Sequence, residues 1–401
     1  MRCLRRREVI LPQRSPRDKK RALMTKAIAT LARIAHRIIV LAERTLDRIR
    51  YRDGRLDHKT LRMLSYAGYR SEREVRVGGR IVQYKPSLKP GTSTWSRLRA
   101  MLAIYESDEV PGVRVALEGY GGRYEAVSDR EGYFHFVLPL DQKPLPDVTA
   151  WEVASISLPE RRSHHAKVDV PILAPGQSEK LGIISDIDDT VVETGATNFL
   201  KNWRRVLVHR PEDRLAVPGA SKLYKYLVVD HQAPRHPVFY VSSSPWNLYG
   251  FITEFMELNA IPHGPMFLKD YGIDKDKFIA SGHRSHKVEA IERILAFYPD
   301  FRFLLIGDNG QRDVEVYARV VRDFPDNVAG VFIRDVSGTC RQGPNGTLLQ
   351  EIEEAGTPVY CGAGFEEALA MVAALGFGED AEAAAAAVAE PPEAAGQMKS
   401  A

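Results

Sequence analysis

Cysteine is scarce and dispersed: Cys3, Cys340 and Cys361 are the whole complement of a 401-residue chain. With no CxxC pair and no disulfide ladder, the sequence excludes a small disulfide scaffold and suggests a reducing compartment or a fold indifferent to cysteine. Long apolar runs are missing too. Nothing approaches the roughly 18 uninterrupted apolar residues of a spanning helix. The most apolar stretch near the start is broken by Arg33, His36 and Arg37, which does not fit a secretory signal. The interleaving of basic and aromatic residues that single-stranded nucleic acid needs is also absent, so no nucleic-acid partner is expected.

Charge is present but unevenly placed. Residues 1–50 carry 15 Lys/Arg and 4 Asp/Glu, so a whole-chain balance of +4 leaves −7 on the other 351 residues. A basic end on an acidic body argues for an electrostatic attachment element. Residues 1–22 read as a disordered basic arm. Residues 23–65 read as a basic amphipathic helical region, with Leu23, Ala27, Leu31, Ile34, Ile38 and Leu41 on one stripe. Three uses of that helix stay open: lying on an anionic membrane surface, packing on the body, or binding a partner. Met24 is an alternative start.

Residues 66–171 change period and read as β-rich. Val75, Val77, Ile81 and Val82 suggest short strands around a Gly78-Gly79 turn, and Ala100 to Tyr105 and Val113 to Leu117 suggest two more. Ser128 to Gly132 reads as a hairpin turn with Tyr133 to Leu138 as its return strand. His164-His165 is a tempting metal pair, but adjacent strand residues face opposite ways, which favours a solvated linker. Residues 378–401, mostly Ala, Glu, Pro and Gly, read as a disordered tail.

Residues 172–377 carry the chemistry. In the run LGIISDIDDT, Leu181 to Thr190, the apolar residues Leu181 to Ile184 read as a buried strand, followed at once by Asp186, Asp188 and Asp189. Open α/β sheets bind ligands at that carboxyl edge. Crowded carboxylates repel one another unless a cation lies between them, and Mg²⁺ is the natural guess. Val191 to Trp203 and the basic residues Arg204, Arg205, His209, Arg210 and Arg214 form a short flap segment. A second strand, Val238 to Val241, ends in Ser242-Ser243-Ser244. Ser285-His286-Lys287 opens a helix. A third strand, Phe303 to Ile306, ends in GDNGQRD with Asp308 and Asp313, and Val331 to Ile333 gives a fourth.

DIDDT, the serines Ser242 to Ser244, the helix opened by Lys287 and GDNGQRD, in this order, resemble the haloacid-dehalogenase superfamily of phosphohydrolases. YVSSSPWNLY, HK, LLIGDNGQRDVEVY and IRDVS further resemble the catalytic domain of the actin-patch phosphatidate phosphatase family. Gly68, Val77, Gly79 and Arg80 are similar to the region that precedes it in bacterial members. SDREGYFHF, Ser128 to Phe136, resembles transthyretin-like β-sandwich modules. The implied fold is α/β, a haloacid-dehalogenase-like Rossmannoid parallel sheet with helices on both faces, preceded by a small antiparallel β-sandwich and an N-terminal helix. Asn309 stands where the family pattern suggests serine, a change expected to matter little.

The resemblance implies Mg²⁺-dependent removal of phosphate from phosphatidic acid or a related anionic lipid. Asp186 would be the nucleophile and Asp188 the acid and base. Ser242 and Lys287 would hold phosphoryl oxygens. Asp186, the backbone carbonyl of Asp188 and Asp308 would hold the metal, with Asp313 completing the outer shell or orienting Lys287, and Thr190 supporting the loop. The partner would be an anionic phospholipid or membrane surface, reached from the cytoplasm through the N-terminal basic region. A phosphatase of soluble phosphomonoesters and a non-catalytic lipid-binding module are the rival readings.

Overall fold

The computed structural model describes residues 61–83, 108–159, 167–178, 180–188, 190, 223–224, 227, 229–230, 233–234, 236–269, 286–364 and 368–375. The basic arm, the helical stripe to residue 60, the Ala100–Tyr105 strand, His164-His165, Asp189, the flap from Val191 to Arg214 and the tail lie outside the described residues.

Nine strands make a mostly antiparallel, branched sheet: β1 (Leu61–Ser65), β2 (Gly68–Arg70), β3 (Glu74–Gln83), β4 (Asp108–Glu109), β5 (Arg114–Gly119), β6 (Gly122–Val127), β7 (Tyr133–Pro139), β8 (Ala150–Ser157) and β9 (Lys167–Ala174). Their order is β1-β3-β2-β9-β8-β5-β6, with β4 and β7 also on β3.

Three expectations need correction here. Residues 61–65 close a region read as helical, yet they are a strand, because β3 satisfies their backbone groups in register from Leu61↔Gln83 to Ser65↔Gly79. Gly78-Gly79 is not a turn but the middle of a ten-residue strand. A Cβ on Gly79 would lie 2.4 Å from the Leu64 carbonyl oxygen and 2.3 Å from the Phe134 ring. Glycine is there for close approach between strands. Finally, β7 is a strand as expected, but it pairs with β3 rather than back on β6. The Ser128–Gly132 segment is an arch: Asp129 Oδ1 accepts from the Glu131 and Tyr133 amides, while Ile81 N–H donates to the Gly132 carbonyl.

The second sheet is parallel and has helices on both faces. Its strands are β10 (Leu181–Ser185), β13 (Val238–Pro245), β14 (Met266–Lys269), β15 (Arg302–Asp308), β16 (Val328–Arg334) and β17 (Val359–Gly362), in the order β14-β13-β10-β15-β16-β17. A short pair, β11 (Val229–Asp230) and β12 (Ala233–Pro234), lies apart from it. The helices are α1 (Tyr249–Leu258), α2 (His286–Phe297), α3 (Asp313–Asp323), α4 (Gly343–Glu354) and α5 (Ala368–Ala374). Alternation assigns the faces. Ile183, Tyr240, Leu304 and Ile306 join α1 and α5 in one core. Ile184, Phe239, Phe303 and Leu305 join α2, α3 and α4 in the other. Among the described residues no helix is long and apolar enough to cross a membrane.

The two sheets share the second core, which takes in Leu145 and Leu173, with Tyr69 and Trp151 at its margin. Ile172–Ala174, assigned to the catalytic segment by sequence, belong to β9. Arg70 is buried; it bonds Glu152 and the Lys143 and Pro144 carbonyls, and its own carbonyl accepts from Tyr298 at 3.0 Å.

The cysteine reading also changes. Cys340 and Cys361 form a disulfide, with Cα atoms 6.6 Å apart. Cys361 pairs with Ile333 across β16 and β17, and the loop after β16 returns Cys340 to it. Linear spacing could not register that neighbourhood, and the inference of a reducing compartment loses its footing.

Candidate active site

Placing β10 between β13 and β15 creates a switch point: the chain leaves β10 first to one side and later to the other. Ligands of open α/β sheets collect outside the carboxyl ends at such a point. The predicted residues meet there. Asp186 follows β10, and its N–H donates to the Ile306 carbonyl at 2.8 Å, which fastens it beside the end of β15. Asp308 is the last residue of β15, Asp313 the first of α3, and Lys287 the second of α2.

Lys287 Nζ lies 2.7 Å from Asp186 Oδ1 and 2.5 Å from Asp313 Oδ1. Asp186, Asp308 and Asp313 each offer a carboxylate oxygen, all within 4.8 Å of one another, in a fully buried group. Asp308 Oδ1 accepts from the Gly310 and Gln311 amides at 2.6 and 2.9 Å, while its Oδ2 is buried with no hydrogen-bond partner. An orphaned carboxylate oxygen inside an all-oxygen donor set fits a hard divalent cation. Gly307 makes room for this: a Cβ there would lie 2.8 Å from Asp313 Oδ2 and from the Tyr317 hydroxyl.

The charges are strongly interdependent. Burial, and then the Asp313 carboxylate, push Asp186 well above the usual carboxylate range, against the pull of Lys287. Burial and Asp313 likewise push Asp308 up to about 7, against Lys287 and the two backbone amides. Burial alone would lower Lys287, but Asp186 and Asp313 outweigh it and raise it above its ordinary value. The ammonium is therefore a fixed positive charge.

Asp188 has hydroxyl partners from β13. Ser242 Oγ donates to its Oδ2 at 2.7 Å, and Ser244 Oγ lies 3.2 and 3.3 Å from its two oxygens. Its backbone carbonyl takes the Gln311 amide at 3.5 Å. Thr190 Oγ1 is 3.5 Å from Asp186 Oδ2, a loose contact. Behind the loop, Ser185 Oγ bonds the Tyr224 hydroxyl and donates to the Asp186 carbonyl.

Sequence reasoning brought together Asp186, Asp188, Ser242, Lys287, Asp308 and Asp313, and it missed three neighbours. Ser244 shares Asp188 with Ser242; the alternation of a strand, which turns residues two apart to one face, was the available signal. Gln311 reaches back to Asp188. Asn309 is more than a small polar substitute: its Nδ2 donates to Asp335 Oδ1 at 2.6 Å and to Ser337 Oγ at 2.8 Å, and its Oδ1 accepts from the Val336 amide at 2.8 Å. A serine is too short for that span.

A parallel α/β sheet with a buried carboxylate–lysine cluster at its carboxyl edge defines the class of domain. Residues 181–335 match the family model described as Phosphatidate phosphatase APP1, catalytic domain, the family that the motifs resemble. Phosphatidate phosphatase APP1 of Saccharomyces cerevisiae is 32% identical over 166 residues, 41% of this chain and 27% of that protein. An uncharacterized Schizosaccharomyces pombe protein is 30% identical over 172 residues, 42% of this chain and 27% of that protein. The match thus spans about a quarter of either relative. A solved carbohydrate acetylesterase from Xanthomonas citri aligns at 10% identity and TM-score 0.26, covering 74% of this chain and 66% of that one, too slight a likeness to bear on fold or function.

Proposed function

We propose that this protein is a Mg²⁺-dependent phosphomonoester hydrolase of the haloacid-dehalogenase type, acting on phosphatidic acid or a related anionic lipid. The carrying observation is the buried Asp186–Lys287–Asp313 chain beside the orphaned oxygen of Asp308, facing an Asp188 that is held separately by two serines. A cluster this acidic is costly to bury for packing alone. The lipid is supported by the similarity to the yeast phosphatidate phosphatase.

In this reading an Asp186 carboxylate oxygen attacks phosphorus, and the bond to the leaving oxygen breaks. Protonated Asp188 gives its proton to that alkoxide. Asp188 then takes a proton from water, the water oxygen attacks phosphorus, and the bond to Asp186 breaks to release phosphate. Lys287 and Ser242 hold phosphoryl oxygens, Lys287 as a charge that Asp313 orients. Asp186, Asp308 and the Asp188 carbonyl would hold Mg²⁺, which supplies charge neutralisation between anionic nucleophile and anionic substrate. In this reading the antiparallel sheet, from β1 through β9, serves as an auxiliary β-rich domain and the parallel-sheet segment that follows as the phosphatase, with the basic arm meeting an anionic membrane surface.

The test is phosphate release by wild type and Asp186→Asn, with Mg²⁺ and with EDTA, from phosphatidic acid in mixed micelles and from soluble phosphomonoesters. The expected result is metal-dependent release that favours the lipid and is lost in the variant, which melts like wild type. Preference for a soluble ester would overturn the substrate. Undiminished turnover by Asp186→Asn would overturn the nucleophile.

A further inference from the structure

The stretch Val77 to Arg80 has no role in the chemistry described so far, although it leads from the β-rich sheet to the edge of the site. Arg80 is buried. Its Nε donates to the Glu131 carbonyl at 2.9 Å, its guanidinium lies 4.7 Å from the centre of the Tyr133 ring, and its Nη1 donates to Asn247 Oδ1. Asn247 sits in the 3-10 turn Trp246–Leu248 that continues directly from β13. Two neighbouring contacts reach this turn and the residue that follows it. The Tyr66 ring stacks on Trp246 with centroids 4.3 Å apart, and the Ala67 N–H donates to the Tyr249 hydroxyl at 2.9 Å.

The end of β13 that leads into this turn is held by an incomplete ladder. The pairing of β13 with β10 ends at Ser185↔Tyr240, and its pairing with β14 shifts register between Val241 and Pro245. Ser242 and Ser244, whose hydroxyls both serve Asp188, therefore sit where the ladder is irregular. A strand end that is not fixed by its neighbours takes its position from whatever grips the residues after it.

We propose that Arg80 is a positioning residue for the phosphatase reaction. Tied at one side to Glu131 and Tyr133, its planar fork clamps Asn247 and so sets where Ser242 and Ser244 meet Asp188. The β-rich sheet thereby acts as a buttress of the catalytic turn. Lysine keeps the charge but lacks the rigid fork that spans both partners. The inference rests on the phosphatase reading for its kinetic arm only.

The experiment compares full-length wild type with Arg80→Ala, Arg80→Lys, Asn247→Ala and the Arg80→Ala/Asn247→Ala double variant. Amide hydrogen exchange is followed over Ser242–Tyr249 and over β15, and kcat and KM are measured on a soluble phosphomonoester with Mg²⁺. Exchange in the turn should rise about tenfold in Arg80→Ala while β15 is unchanged, and kcat should fall about 10- to 100-fold with KM nearly constant. Arg80→Lys should fall between wild type and Arg80→Ala. The double variant should lose no more than Arg80→Ala, because both substitutions break one clamp. Asn247→Ala opens the same clamp while keeping the buried arginine and its bond to Glu131, so a misfolded Arg80→Ala does not remove the test. Unchanged exchange in the turn, or raised exchange with unaltered kcat, overturns the proposal. An inactive wild type overturns the phosphatase reading instead, and hydrogen exchange alone then decides whether Arg80 holds the turn.

Discussion

Asp308 shows how one carboxyl couples protons, metal and stability. Its pKa is raised from 3.8 to about 7. A raised carboxyl favours the folded state when protonated, so that contribution is full below about pH 3.8 and is lost as pH rises through about 7. On the proposed reading a divalent cation would take the place of the proton once the carboxylate ionises. Mg²⁺ should therefore raise the melting temperature more at about pH 8 than at about pH 5.5. Scanning calorimetry at both pH values checks this, and an equal shift would contradict it. The residues that meet at the candidate site were legible in sequence because each ends or begins an element at a position where charge is costly. Asp186 and Asp308 follow apolar strands, and Lys287 opens an amphipathic helix. Asn309 was not legible, because its partners Asp335 and Ser337 lie 26 and 28 residues away and only the β15–β16 pairing brings them near.

Among elements, β3 is the most instructive. Its two glycines look like punctuation in sequence and serve as clearance in the fold. Gly79→Ala should destabilise by about 3 kcal/mol or more, since one of the clashing atoms is the Leu64 carbonyl oxygen and backbone cannot swing aside. Gly250→Ala, in the first turn of α1 with open space around it, should be neutral or slightly stabilising by helix propensity. Urea titration of both variants separates the readings; equal losses would return β3 to a simple turn. β10, β13, β15 and β16 could be read from apolar runs of three or four residues; β14 was not read, and neither was β1. Its five residues are fixed by a partner strand rather than by a pattern of their own.

Taken whole, the molecule joins two sheets through a common core, and its basic end stands apart in charge. The first 50 residues hold a surplus of +11 against −7 elsewhere. Removing residues 1–50 should lower activity on vesicles rich in phosphatidic acid while sparing a soluble phosphomonoester, because vesicle binding depends on attraction to anionic headgroups. Co-sedimentation and phosphate release on the two substrates check this; unchanged vesicle binding would reject the attachment role. That a β-rich segment precedes a parallel sheet was visible from composition and motif. The sharing of Tyr69, Leu145 and Leu173 with the second core was not, since periodicity says which face is apolar and not what covers it.

The Cys340–Cys361 bond adds a consequence of connectivity. It closes a ring that contains the whole of α4 and ends on β17, the edge strand of the parallel sheet. A protease that cuts inside the ring divides the chain without releasing either part. The fragment that begins in α4 stays tethered to the body by sulfur, and the edge strand keeps its place beside β16 after the backbone has been broken.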